Sequence, residues 1–164
     1  MNENELIALA NRIVPSLINS GTTLAVAESC TGGWLSKILT DVSGISAIYK
    51  GGICSYSNEI KMKLLGVNEE TLKAYGAVSA QTAREMAEGV RNAMSTDIGI
   101  GITGIAGPNS DNTNKPVGLI YIAIAYGKQI IVRELRNNFS DNIRLNNRLS
   151  AIKTALNLLG EINE

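Results

Sequence analysis

The sequence predicts an α/β domain, a mixed sheet with helices on both faces. Two observations lead there: stretches with three- and four-residue apolar spacing alternate with short β-branched apolar runs in the N-terminal half, and a hairpin pattern follows later. Leu6, Leu9, Ala10, Ile13, Val14, Leu17 and Ile18 form the stripe of a first helix that Gly21 ends, with Pro15 expected to kink or split it. Thr22 to Glu28 is a short apolar strand, and Gly32-Gly33 followed by Trp34, Leu35, Ile38 and Leu39 opens a second helix. A further strand spans Ala47 to Tyr56, Asn58 to Leu65 is helical, and Ser79 caps a helix from Ala80 to Met94. Strands follow over Asp97–Thr103, Val117–Ala125 and Gln129–Leu135, the last two joined by a hairpin at Tyr126-Gly127-Lys128. The last helix runs from Ile143 to Leu159, before Gly160.

A length of 164 residues fits one domain spanning the whole chain, 1–164, because single domains cluster at roughly 100–200 residues. Fifteen basic side chains balance fifteen acidic ones. That balance offers no electrostatic footprint for nucleic acid or an anionic membrane, so small-molecule or protein partners are expected. The longest nearly unbroken apolar stretch, Val117 to Tyr126, is about half a membrane span. The N-terminus is acidic where a signal peptide would be basic, and Cys30 and Cys54 form neither a C-x-x-C pair nor a disulfide framework. A cytoplasmic location is the expectation. There is no histidine. Its absence excludes Ser-His-Asp and Cys-His nucleophilic sites, imidazole zinc sites, His-ligated haem and a histidine general base.

The segment Ala27-Glu28-Ser29-Cys30-Thr31-Gly32-Gly33 places a serine where a strand hands over to a helix. The glycines would let a ligand approach backbone N–H groups at the helix N-terminus, which could serve as an oxyanion hole. Equally, Ser29 or Thr31 could simply cap that helix. Cys30 is the rival nucleophile, but alternation turns it away from Ser29, toward a buried structural role. Gly99 to Gly104 formally matches G-x-G-x-x-G, yet it lies within a strand and runs into a polar loop instead of opening a helix. Gly104 and Gly107 are read as glycines of a turn, with Thr103 at the strand's carboxyl end, the edge where open α/β sheets bind ligands. A plain sheet-end turn is the alternative. The loop from Gly107 to Pro116 is long enough to suggest a binding role. Tyr56 stands at a strand end, with Lys61 about one turn into the next helix. A serine can be activated by a neutral lysine, provided that the lysine pKa falls from about 10.4 toward 7–8, roughly 3–4 kcal/mol of differential stabilisation. Otherwise Lys61 is, like Lys63, a solvated helix residue.

These blocks, AESCTGGW from Ala27, YSNEIK from Tyr56, LLGV from Leu64, GAVS from Gly76, TGIAGP from Thr103 and KPVG from Lys115, resemble the C-terminal domain of the competence-damage-inducible CinA family. The likeness covers about residues 5 to 160 and is greatest to the stand-alone nicotinamide mononucleotide amidohydrolases (PncC). It implies a three-layer α/β/α sandwich with a mixed, mostly parallel sheet, usually a homo-oligomer. The activity implied is hydrolysis of the carboxamide of nicotinamide mononucleotide to nicotinic acid mononucleotide and ammonia, with no metal or cofactor. Carried over by motif, Ser29 is the nucleophile, Lys61 its general base and Tyr56 a proton relay or orienting hydroxyl. Thr31, Gly32 and Gly33 would serve the oxyanion, while Thr103, Gly104 and the loop toward Lys115 resemble the substrate-binding turn. The family's Gly-Asp-Arg segment is replaced here by Ser140-Asp141-Asn142-Ile143-Arg144, which aligns Arg144 with the family arginine and Arg148 with the next one. Arg144 would hold the substrate phosphate. A catalytically silent nucleotide-binding or regulatory module of the same family is the alternative function, and deamidation of a related pyridine nucleotide is a third.

Overall fold

A computed structural model describes residues 1–162. In chain order the elements are α1 (Glu3–Ser20), β1 (Leu24–Glu28), α2 (Trp34–Thr40), a 3-10 turn (Ile45–Ala47), β2 (Tyr49–Cys54), α3 (Asn58–Leu65), α4 (Glu69–Tyr75), α5 (Ala80–Met94), β3 (Ile98–Gly104), β4 (Leu119–Tyr126), β5 (Gln129–Arg136) and α6 (Ile143–Glu161). The sheet order is β2-β1-β3-β4-β5. β1 pairs in parallel with β2 and β3, while β4 is antiparallel to both β3 and β5. Every strand except β4 therefore runs in one direction, which makes the sheet mixed and mostly parallel. Among the described residues no helix is long and apolar enough to cross a membrane.

The strands divide their side chains between two unlike faces. Leu24 and Val26 of β1, Ile98, Ile100 and Ile102 of β3, and Ile120, Ile122 and Ile124 of β4 pack with α1, α2 and α6 into the larger core. The other face presents small residues, Ala25 and Ala27 of β1, Gly99 and Gly101 of β3, and Ala123 and Ala125 of β4, to α5 and the end of α3. The small side chains let α5 lie almost on the backbone. A Cβ at Gly101 would stand 2.5 Å from the Ala83 carbonyl oxygen and one at Gly99 only 2.0 Å from that of Ala87. The formal G-x-G-x-x-G is thus, as its strand context implied, no nucleotide loop. Gly101→Ala should cost about 2–3 kcal/mol through overpacking against main chain that cannot retreat, a fall in Tm of roughly 5–10 °C by thermal denaturation.

Four elements depart from the sequence reading. α1 is not split at Pro15, because that residue lies on the exposed face, where water can take the carbonyl it leaves without a donor. α6 continues through Gly160, which keeps helical backbone and at which even a Cβ would meet Ile13 of α1 at an ordinary 3.5 Å, so the glycine neither stops the helix nor is demanded by packing. α4, which the reading left out, buries no residue completely and sets only Leu72 against the core, too faint an apolar stripe to register. The β2 strand is also shorter than Ala47–Tyr56, since the 3-10 turn takes its first residues.

Candidate active site

Five connections meet at the carboxyl edge of the like-directed strands: β1 to α2, β2 to α3, α4 to α5, β3 to β4 and β5 to α6. They enclose a cavity of about 300 Å³. This is the edge at which open α/β sheets bind ligands.

The first connection is a tight turn held by a buried carboxylate. Glu28, at the end of β1 and 1% exposed, accepts hydrogen bonds from the N–H groups of Gly33 (3.2 Å), Leu35 (3.0 Å) and Ser36 (2.9 Å) and from the Ser36 hydroxyl (2.8 Å). A negative charge at a helix N-terminus is favourable and satisfies donors that α2 would otherwise leave orphaned. The cap of α2 is therefore Glu28, and neither Ser29 nor Thr31 performs it. Gly32 and Gly33 sit at φ 62° and 90°, where a Cβ is disfavoured. Their N–H groups are spoken for: Gly32 donates to the Ser29 carbonyl and Gly33 to Glu28. Of the segment expected to serve the oxyanion, Thr31, Gly32 and Gly33, the two glycines thus have their N–H groups engaged within the turn, and none of the three residues lines the cavity. The N–H groups of Cys30 and Thr31, in contrast, meet no oxygen acceptor among the described residues. The Thr31 side chain is buried with its hydroxyl unpartnered.

The second connection brings up the lysine. Ser57 caps α3 by accepting from the Ile60 N–H, which starts the helix where Lys61 turns inward. Lys61 is 1% exposed. Its Nζ donates to the Ser55 carbonyl at 2.6 Å and lies 3.2 Å from Ser29 Oγ. No carboxylate pairs with it among the described residues, and burial lowers its pKa from 10.5 to about 8. Burial has the opposite effect on Cys30, 7% exposed on the same wall, whose thiol is pushed up to about 12. A thiol held so firmly protonated is a poor nucleophile.

Tyr56, 66% exposed, lines the cavity with its hydroxyl accepting from Arg144 Nη2 at 3.2 Å, and touches neither Ser29 nor Lys61 by hydrogen bond. Arg144, at the start of α6, also donates through Nη1 to the Gly107 carbonyl at 3.0 Å. It is the arginine that lines the cavity. Arg148, one turn on, instead donates to the Thr31 carbonyl at 2.7 Å and stacks 4.9 Å above the Trp34 ring, bracing the serine turn from behind. Thr103 and Gly104 line the cavity at the end of β3. Thr103 is buried with its hydroxyl on the Ala77 carbonyl, and Gly104 is close-packed on Ile120 of β4. Lys115 does not line the cavity; its Nζ donates to the carbonyls of Tyr75 and Val78, where it pins the segment before α5. Its loop reaches the site through Asn109, Ser110 and Asp111, residues the sequence offered only as members of a long polar loop.

Sequence and structure comparisons relate the chain to known proteins. The family model described as CinA C-terminal domain matches residues 6–162. A putative competence-damage inducible protein of Acetivibrio thermocellus is 60% identical over 120 residues, which cover 73% of this chain and 29% of that protein. A CinA-like protein of Syntrophomonas wolfei is 50% identical over 151 residues, 92% of this chain and 36% of the relative. The chain thus matches about a third of the length of these curated relatives. Among solved structures, the competence/damage inducible protein CihA from Agrobacterium tumefaciens superposes with a TM-score of 0.91 at 36% identity, over 100% of this chain and 98% of that one. A CinA superfamily protein from Klebsiella pneumoniae gives 0.91 at 32% identity over 99% and 98%. With nearly every residue matched in both sequence and fold, the chain belongs to the CinA C-terminal domain family.

Proposed function

We propose that this domain hydrolyses the carboxamide of nicotinamide mononucleotide, giving nicotinic acid mononucleotide and ammonia. The observation that carries the reading is Lys61, a buried amine that no carboxylate among the described residues pairs with, 3.2 Å from a serine hydroxyl on a sharp strand-to-helix turn. With one N–H engaged by the Ser55 carbonyl, the neutral amine has its lone pair available for the Ser29 proton. Ser29 Oγ attacks the carboxamide carbon as its proton passes to Lys61 Nζ. Cys30 lines the cavity and its N–H meets no oxygen acceptor among the described residues, which makes that N–H available to the tetrahedral oxyanion. Lys61 then returns the proton to the departing nitrogen, the C–N bond breaks and ammonia leaves an ester on Ser29. Water, deprotonated by Lys61, attacks that ester, and the acid product departs as Ser29 recovers its proton. Arg144 at the mouth suits the phosphate, and Tyr56 holds the guanidinium in place.

Incubating the protein with nicotinamide mononucleotide should release ammonia and nicotinic acid mononucleotide in equal amounts. Because the base must be neutral and its pKa is about 8, kcat/KM should climb about tenfold per pH unit below that value and level off above it. A profile flat from pH 6 to 10 would count against Lys61 as the base.

A further inference from the structure

The charged residues lining the cavity are three: Lys61, Arg144 and Asp111. Asp111 is thus the one carboxylate among the described residues that faces the ligand space, for Glu28, the nearest alternative, lies buried beneath the serine turn with its oxygens engaged. Asp111 divides its two oxygens. Oδ1 accepts from the N–H and hydroxyl of Thr113, a local turn that fixes the side chain, while Oδ2 accepts from nothing among the described residues. A carboxylate anchored by one oxygen and open by the other, in a cavity otherwise lined by cationic and neutral groups, selects for a positive charge on the ligand. The substrate proposed above has one: its pyridinium ring is cationic at every pH, whereas its phosphate is anionic and matches Arg144.

Resting on the reaction proposed above, we infer that Asp111 is a specificity-determining residue that recognises the cationic ring, so that the domain prefers N-substituted pyridinium carboxamides over uncharged ones. The bipolar wall, Asp111 for the ring and Arg144 for the phosphate, fits a zwitterionic nucleotide and disfavours a neutral-ring analogue of the same shape. No bond is made or broken at Asp111. It acts through charge, and its contribution weakens with salt.

The test compares wild type with Asp111→Asn, which keeps an oxygen for the Thr113 turn and removes only the charge. KM is measured for nicotinamide mononucleotide, and the inhibition constant for its dihydropyridine form, whose ring is neutral. The expected result is a rise in KM of about threefold to fivefold at low ionic strength, narrowing in high salt, with kcat and the inhibition constant of the neutral form unchanged. Equal changes in both constants, or none in either, would overturn the assignment while leaving the amidase reading intact. A wild-type protein that releases no ammonia from the nucleotide would overturn that reading and this one together, and would be seen before any variant is made.

Discussion

Ser29→Ala is expected to abolish ammonia release from nicotinamide mononucleotide, with kcat falling on the order of 10⁴-fold or more, as when the nucleophile of a serine hydrolase is removed. The loss should be purely chemical. The Ser29 side chain is half-buried and its interior hydrogen bond is to Lys61 Nζ, whereas the backbone that shapes the turn is held by Glu28, Ile102 and Gly32. Substrate affinity, read by calorimetry on the variant, should stay within a few-fold of wild type. Full activity in Ser29→Ala would transfer the nucleophile elsewhere and sink the acyl-enzyme scheme.

Lys61→Met should lose turnover and gain stability. Removing a general base costs about 10²–10⁴-fold. The stability effect follows from the lowered pKa, about 8 in the folded protein against an ordinary 10.5. Below pH 8 the amine is charged in folded and unfolded chains alike, and the folded state bears the whole cost of burying that charge. Between about 8 and 10.5 the unfolded chain holds a proton that the folded one has released, so stability rises with pH through that window, by about 3 kcal/mol in all. Methionine fills similar space without the charge. Allowing about 1 kcal/mol for the donor withdrawn from the Ser55 carbonyl, the variant should be about 2 kcal/mol more stable at pH 7 and raise Tm by roughly 4–8 °C. The advantage should shrink as the pH of the melt rises toward 10. A variant less stable than wild type at pH 7 would mean that Lys61 stabilises the fold and is no strained base.

Much of this was legible from residues. α3 and α5 keep the bounds read for them, Asn58–Leu65 and Ala80–Met94, and for α5 the signal is local, a Ser79 cap followed by an apolar stripe. The juxtaposition of Ser29 and Lys61, 32 residues apart, came from the family motifs, for no local rule brings a strand-end serine to a helix on the neighbouring strand's connection. Which backbone donors remain free at the serine turn was not legible. Glu28 decides it, and in sequence it is one acidic residue closing an apolar strand, its position beneath α2 visible only once the chain has turned. Nor could spacing tell Arg144 from Arg148, since a single helical turn sends one to the cavity and the other onto Trp34. Asp111 stayed hidden for a simpler reason: in a loop rich in Asn, Ser and Thr, an acidic residue is unremarkable until the walls around it are known.

The construction of the site from five connections has a consequence for cooperativity. Ser29 and Lys61 are 32 positions apart, Tyr56 and its arginine 88, and the Arg148 brace spans 117. A fragment that stops short of α6 lacks both arginines, whatever else it holds. The proposed activity should therefore follow assembly of the whole sheet, and a partly folded chain should have none of it to offer.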